Sequence, residues 1–282
     1  MKPLIHRTIL LCAIMAAGIA GAKSSTSLIA VRFNTRSAVF VAGEGYAGTI
    51  DIANSGMDEI EVGAPDSPDR LFVELFRASD KFQYPRKGDA PFVVPFTLKP
   101  GEGLKMETIL ADHYAFPDHI RYLARAVLVH GGVRYESAFQ SFDVVPGLSD
   151  GGAIQLFREK KGLKREYELV HWVRNGIEHL FLKAKDTGDG DPRIWRTSDL
   201  GPFLRVTKPK ISVLPSGEVI VLHRATQSAF IRSEFWSLPE AFEFHEHETM
   251  TDPNMVGAER VKEIYKESGD AKPVKKAWWK FW

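Results

Sequence analysis

Cysteine is almost missing from this 282-residue sequence: the single one, Cys12, lies near its start. One thiol cannot close an intramolecular disulfide, and thiolate zinc sites and paired-cysteine redox chemistry are excluded with it. A charge excess of one sign is missing too, with 37 lysines and arginines against 36 aspartates and glutamates. No broad field therefore draws the chain to nucleic acid. No apolar run reaches the roughly 20 residues that a membrane-spanning helix needs. Neither a Gly-x-x-x-x-Gly-Lys phosphate loop nor a His-Glu-x-x-His zinc helix is present, and neither a nucleophile elbow nor a dinucleotide-binding turn is expected. Carboxylate pairs for glycosidic chemistry carry no local motif, because they meet only in space.

What is present begins with an address. Lys2 and Arg7 precede the apolar run Thr8 to Ala17, and Ala20-Gly21-Ala22 puts small residues where a signal peptidase reads. The sequence predicts a secretory signal over 1–22, cleaved after Ala22, that carries Cys12 away. The chain from Lys23 is then cysteine-free, which fits a bacterial exported protein in the periplasm or at the cell surface.

An all-β fold is expected. Between Ser27 and Pro146 the runs Ala38 to Val41, Gly48 to Ile52, Leu71 to Phe76 and Phe92 to Phe96 are separated by turn residues such as Asn54-Ser55-Gly56 and Lys99-Pro100-Gly101. They read as strands at sandwich spacing, in one domain over 27–147. Val129-His130-Gly131-Gly132-Val133-Arg134 reads as a tight hairpin. The stretch Ile120-Arg121-Tyr122-Leu123-Ala124-Arg125-Ala126-Val127 resembles the penultimate strand of immunoglobulin-like and fibronectin-type sandwiches. That resemblance implies a β-sandwich whose Tyr122 hydroxyl ties the preceding corner, with Ala124 where antibody-type domains carry a disulfide cysteine.

Pro146 to Gly152 is turn-rich and places a boundary near 150. A second, β-hairpin domain is expected over 153–248. Its Asn175-Gly176 turn sets Arg174 opposite Ile177, Trp172 opposite His179, Val170 opposite Phe181 and His171 opposite Leu180, apolar on both faces and so predicted interior. A second hairpin runs from Pro209 to Arg224. Aligning Gly176 with Gly217 superposes Lys183-Ala184 on Arg224-Ala225, and an insertion in 186–192 then brings Arg196-Thr197 onto Arg232-Ser233. This period near 40 residues resembles blade fragments of sialidase-like propellers, whose Asp-x-Gly turn is matched by Asp186 and Gly188 while the tryptophan comes late, at Trp195. Residues 249–282 hold a short amphipathic helix, Ala258 to Ser268, and a basic-aromatic tail.

Several clusters could carry chemistry. Asp186, Asp189 and Asp191 crowd a glycine loop and suit a hard cation such as calcium. His245 and His247, two apart on a strand, share a face where imidazoles converge on zinc, with Asp112-His113 and Asp118-His119 as spare ligands. Arg224 and Arg232, with His223, Arg196 and Arg205, could grip a carboxylate. Trp195 and Trp236 offer stacking platforms for sugar rings, and Trp172 reads as core. Trp278, Trp279 and Trp282 stand with Phe281 and four lysines in the last twelve residues; such rings either fold back onto an apolar patch of the second domain or dock on a membrane interface or an envelope protein. The function expected is an exported cell-envelope binding or scaffold protein without catalytic activity. The competing class is a glycan-acting hydrolase or lectin-like protein that uses the second β domain.

Overall fold

The computed structural model describes residues 29–63, 68–88, 92–117, 119–157, 162–188 and 193–251. The expected signal at 1–22, the helix at 258–268, the tail with Trp278, Trp279 and Trp282, and Asp118, Asp189 and Asp191 lie outside the described residues. The regular structure described is strand except for one helical turn, as the turn-punctuated alternation predicts.

The first half comprises β1 (Ile29–Thr35), β2 (Val39–Val41), β3 (Ala47–Asn54), β4 (Ile60–Val62), β5 (Arg70–Arg77), β6 (Phe96–Leu98), β7 (Gly103–Ile109), the single helical turn α1 (Leu110–His113), β8 (Arg121–His130), β9 (Val133–Glu136) and β10 (Gln140–Val145). They form a sheet in the order β1-β3-β7, a sheet in the order β2-β10-β8-β5 with β9 on β8, and a β4-β6 pair. Side chains two apart on a strand share a face. Accordingly Val31 and Phe33 of β1, Ile50 and Ile52 of β3, Val73 and Leu75 of β5, and Tyr122, Ala124 and Leu128 of β8 enter one core. Gly131 and Gly132, at φ 54° and 76°, make the two-residue turn between β8 and β9, because glycine meets the two successive positive φ values of such a turn at no steric cost. Tyr122 stacks on Phe142 with ring centroids 5.7 Å apart. A tyrosine hydroxyl tie to the backbone is found at Tyr114, which donates to the Val73 carbonyl.

One expected strand is largely absent. Of Phe92 to Phe96 only Phe96 is paired, since Pro95 has no N–H for a ladder; Phe92 instead stacks on His113 at 4.1 Å and Val94 is exposed.

The second half holds two antiparallel meanders. The first is β11 (Leu148–Leu156), β12 (Lys164–Arg174), β13 (Ile177–Thr187) and β14 (Ser198–Pro202); the second is β15 (Lys210–Val213), β16 (Glu218–Arg224), β17 (Phe230–Leu238) and β18 (Ala241–Met250). The β12–β13 register is the one the Asn175-Gly176 turn dictates, Trp172 opposite His179 and Val170 opposite Phe181, with φ 52° and 80° at the turn. Leu169, Leu180 and Leu182 pack with Val219, Val221 and Phe235 in the core between the two meanders. On their other face Val170 and Phe181 pack with Val41 of β2. The β12–β13 hairpin is thus a middle layer, and its two apolar faces are explained. Of the turn-rich stretch 146–152, Pro146 and Gly147 make the crossing, and the rest is already β11, bulged between Ser149 and Gly151. The aligned repeat matches β12–β14 with β15–β17, one position displaced within the two sheets.

Candidate functional site

The two halves meet at the β2–β3 turn. Gly43 has φ 90°, and Tyr46 holds φ 54°. The turn closes on itself: the Val41 N–H donates to Glu44 Oε2 at 2.5 Å, and the Gly43 N–H donates to the Tyr46 hydroxyl at 3.0 Å. Thr197, just before β14, then donates its N–H to the Gly43 carbonyl at 2.9 Å and its hydroxyl to the Ala42 carbonyl at 2.8 Å. A Cβ on Gly43 would come within 2.4 Å of Thr197 Oγ1. The approach demands glycine.

Four ionisable groups lock beside this contact. Arg174, the last residue of β12, bonds Glu44 at 2.6 Å and Asp199 at 2.5 Å, and His179 Nδ1 lies 3.0 Å from Asp199. Burial pushes the Glu44 carboxyl above its ordinary value, outweighing Arg174. For Asp199 burial acts in the same sense, but bonds from His179 and the Gly201 N–H, with the Arg174 charge, overcome it and hold the carboxyl low. Burial pushes the Tyr46 phenol up to about 12. Arg196 adds a second strap to Asp112 at 2.7 Å. Clefts of about 940 Å³ and about 650 Å³ flank the contact, both lined by Glu44, Tyr46, Arg196 and Thr197. Lys87, His119, Glu168, Lys185 and Trp195 line the larger one.

Two motif-like strings fall at this junction, and they correct the expectation that the chain carries neither a dinucleotide fingerprint nor a nucleophile elbow: the letters of both are present. Gly43-x-Gly45-x-x-Gly48 has the letters of a dinucleotide fingerprint, which works only where the glycines open a helix. Here β3 follows instead. Gly147-x-Ser149-x-Gly151 has the letters of a nucleophile elbow, which needs a sharp turn into a helix. Ser149 lies instead within β11, paired with Val170. The neighbouring His171 bonds Asp150 through Nδ1, and its Nε2 faces Glu178 at 3.4 Å.

The residues singled out from sequence separate into two places. Trp195 packs against the core between the meanders, its ring between the guanidinium groups of Arg165 at 4.6 Å and Arg193 at 3.8 Å. Asp186, read as a calcium ligand, is bonded by Arg165, with Nη2 to Oδ2 at 3.0 Å. Arg165 is fully buried and also donates to Ser237 Oγ and to the Leu238 and Ala241 carbonyls, so it clips β12 to the β17–β18 turn. No sequence signal distinguished Arg165 from a surface arginine. Trp236, Arg224 and Arg232 lie elsewhere, on the outer face of the β15–β18 sheet, where Trp236 pairs with Glu218 and Arg232 with Leu222. Trp195 and Trp236 therefore cannot form one platform. Arg232 is ion-paired to Glu234, and Arg224 donates to the Gln227 carbonyl at 2.9 Å.

The paired histidines are a correction. A bulge opposite the Glu234–Phe235 step breaks the strand alternation at His245. His247, itself exposed, lies on the face of Ser233 and meets its Oγ at 3.1 Å, while His245 sits edge-to-face with Trp236 at 5.8 Å on the other face. Together with Glu234 and Glu246, His245 makes a group of ligand atoms within 4.8 Å of one another. The Arg232 guanidinium already supplies positive charge to Glu234 there.

No family model matches the chain, and no curated protein matches it. Among solved structures it is similar to Spo0M, a sporulation control protein from Bacillus subtilis, at 11% identity over 86% of this chain and 97% of that one, with a TM-score of 0.28. That likeness is too loose to assign a fold or a role.

Proposed function

We propose that this protein is an exported cell-envelope binding or scaffold protein that works without catalysis and offers its inter-half cleft to a partner. Its N-terminal half, about 27–147, is read as an immunoglobulin-like sandwich. The connectivity supports this: β1-β3-β7 over β10-β8-β5 corresponds to strands A-B-E over G-F-C of that fold. The second unit, about 153–248, is read as paired blade-like meanders.

The observation that carries the functional reading is the Glu44–Arg174–Asp199–His179 lock. These ionisable groups sit in the cleft walls, yet each is engaged by another, which fixes the two halves relative to one another rather than leaving an acid or base poised for a substrate. A rigid cleft with mixed charge suits recognition by shape and complementary polar groups. The test is in-cell photo-crosslinking from Ile194, an exposed residue on the larger cleft, in the source bacterium. A discrete crosslinked envelope protein, lost when Lys185 and Arg196 are replaced by Glu, supports the reading. Cytoplasmic fractionation, or turnover of glycosides or esters by the purified protein, overturns it.

A further inference from the structure

We propose that two copies of this chain pair edge to edge through β11, antiparallel about a two-fold axis at Ile154, and so join their sheets. β11 is the outer strand of the order β11-β12-β13-β14. Its two faces differ. Ala153 packs against the core between the meanders and Gln155 accepts from the Tyr167 hydroxyl, so alternation turns Ile154 and Leu156 to the opposite face. There they stand 58% and 74% exposed. The backbone follows the same period. The Phe157 N–H donates to the Leu163 carbonyl at 3.3 Å. Residues 153, 155 and 157 therefore exchange bonds with the β12 side, and the N–H and C=O of Gly152, Ile154 and Leu156 point away from it. Among the described residues no further group bonds to those three.

An open strand edge is normally guarded by charge, proline or a bulge. Other edge strands here are guarded: β5 carries Arg70, β7 Lys105, β14 Asp199 and Pro202, and β18 Glu243. In β11 the bulge between Ser149 and Gly151 guards only the start of the strand. From Gly151 to Leu156 there is neither a charge nor a proline. Gly151 and Gly152 are exposed, and without side chains they let another strand come close.

Self-complementarity identifies that strand as β11 of a second copy. In an antiparallel ladder, residues whose backbone groups point outward must meet residues of the same kind. A two-fold axis at Ile154 meets this condition: Ile154 faces its own counterpart, and Leu156 lies over the second copy's Gly152. Each of the three outward residues then exchanges both backbone groups, large side chains lie beside small ones, and no like charges oppose one another. β18 paired with itself would instead bring carboxylates together. The opposite edge of the sheet offers no second ladder, because β14 follows Thr197, which the β2–β3 turn holds, and ends in Pro202. The assembly therefore closes at two copies. Gly151 to Leu156 line neither cleft, so this inference stands apart from the envelope reading.

Sedimentation velocity of the purified chain from about 1 to about 500 µM is the first readout, and a reversible monomer–dimer equilibrium inside that range is expected of so small an interface. Ile154→Lys and Ile154→Glu each set like charges against one another across the axis and should each weaken association at least about tenfold. An equimolar mixture of the two should restore it, a rescue that only a two-fold pair permits. Register is read from cysteine variants made with Cys12→Ser. Ile154→Cys stands at the axis, where paired Cα atoms are about 5.5 Å apart, within reach of a disulfide. It should cross-link at least about tenfold faster than Val206→Cys, a 62% exposed site between β14 and β15. A chain that stays monomeric to about 500 µM overturns the proposal. Dimers indifferent to Ile154→Lys, growth beyond two copies, or equal cross-linking of the two cysteines also overturn it. Should circular dichroism show that Ile154→Lys does not fold, the cysteine pair carries the test alone.

Discussion

Acid should destabilise the protein through one histidine. His223 is 1% exposed, donates from Nε2 to the Pro202 carbonyl at 3.1 Å and packs against Phe203. Burial brings its pKa down to about 4 from 6.5, and the nearby His247 and His179 act in the same direction against Pro202 and Asp199. The unfolded chain takes up a proton near 6.5, and the folded chain does so only near 4. Stability is therefore complete above about 6.5 and is lost as the pH falls toward about 4. Integrated from pH 7.5 to 4.5, the loss from this group is about 2.5 kcal/mol. Urea unfolding across that range, for wild type and His223→Gln, isolates it. The glutamine amide can keep a donor toward Pro202, and carboxylate titrations common to both proteins cancel. Wild type should lose about 2.5 kcal/mol more than the variant. A difference below about 1 kcal/mol would mean that the buried imidazole is hydrated or relocates on protonation, and the reasoning would be wrong.

Arg165→Ala should cost about 3–5 kcal/mol in guanidinium unfolding, because it strands the buried Asp186 carboxylate; Arg165→Lys should recover little, since an ammonium cannot reproduce the two-pronged contact. Gly43→Val adds a Cβ where Thr197 already sits and demands a positive φ of a branched residue, which costs about 1–3 kcal/mol, and limited proteolysis should then cut between the halves. Glu44→Gln removes a carboxyl that burial holds above its ordinary value. Wild type loses that group's contribution as the pH rises through its titration, so the variant should gain on wild type as the pH climbs above the ordinary carboxyl value of 4.5; a difference that stays constant over that climb would count against the buried-acid reading.

The register of the β12–β13 hairpin was legible from Asn175-Gly176 alone, because a two-residue turn fixes which residues pair and period-2 alternation then fixes the faces. The same local logic gave the Gly131-Gly132 hairpin and the all-β class. It failed where a bulge intervenes: one extra residue at His245 sent the two histidines to opposite faces, and nothing in Phe242 to Glu248 announces that bulge. It failed again where partners are far apart in the chain. Glu44 meets Arg174 only because β2 packs on the β12–β13 layer, and Arg165 reaches Asp186 and the β17–β18 turn only because two meanders share a core. Glycine strings that match familiar motifs meant nothing until the element after each was seen to be a strand. Local backbone preference acts over a few residues and can be read from them; which faces bury against each other is decided by the assembled sheets, and the lock between the halves exists only there.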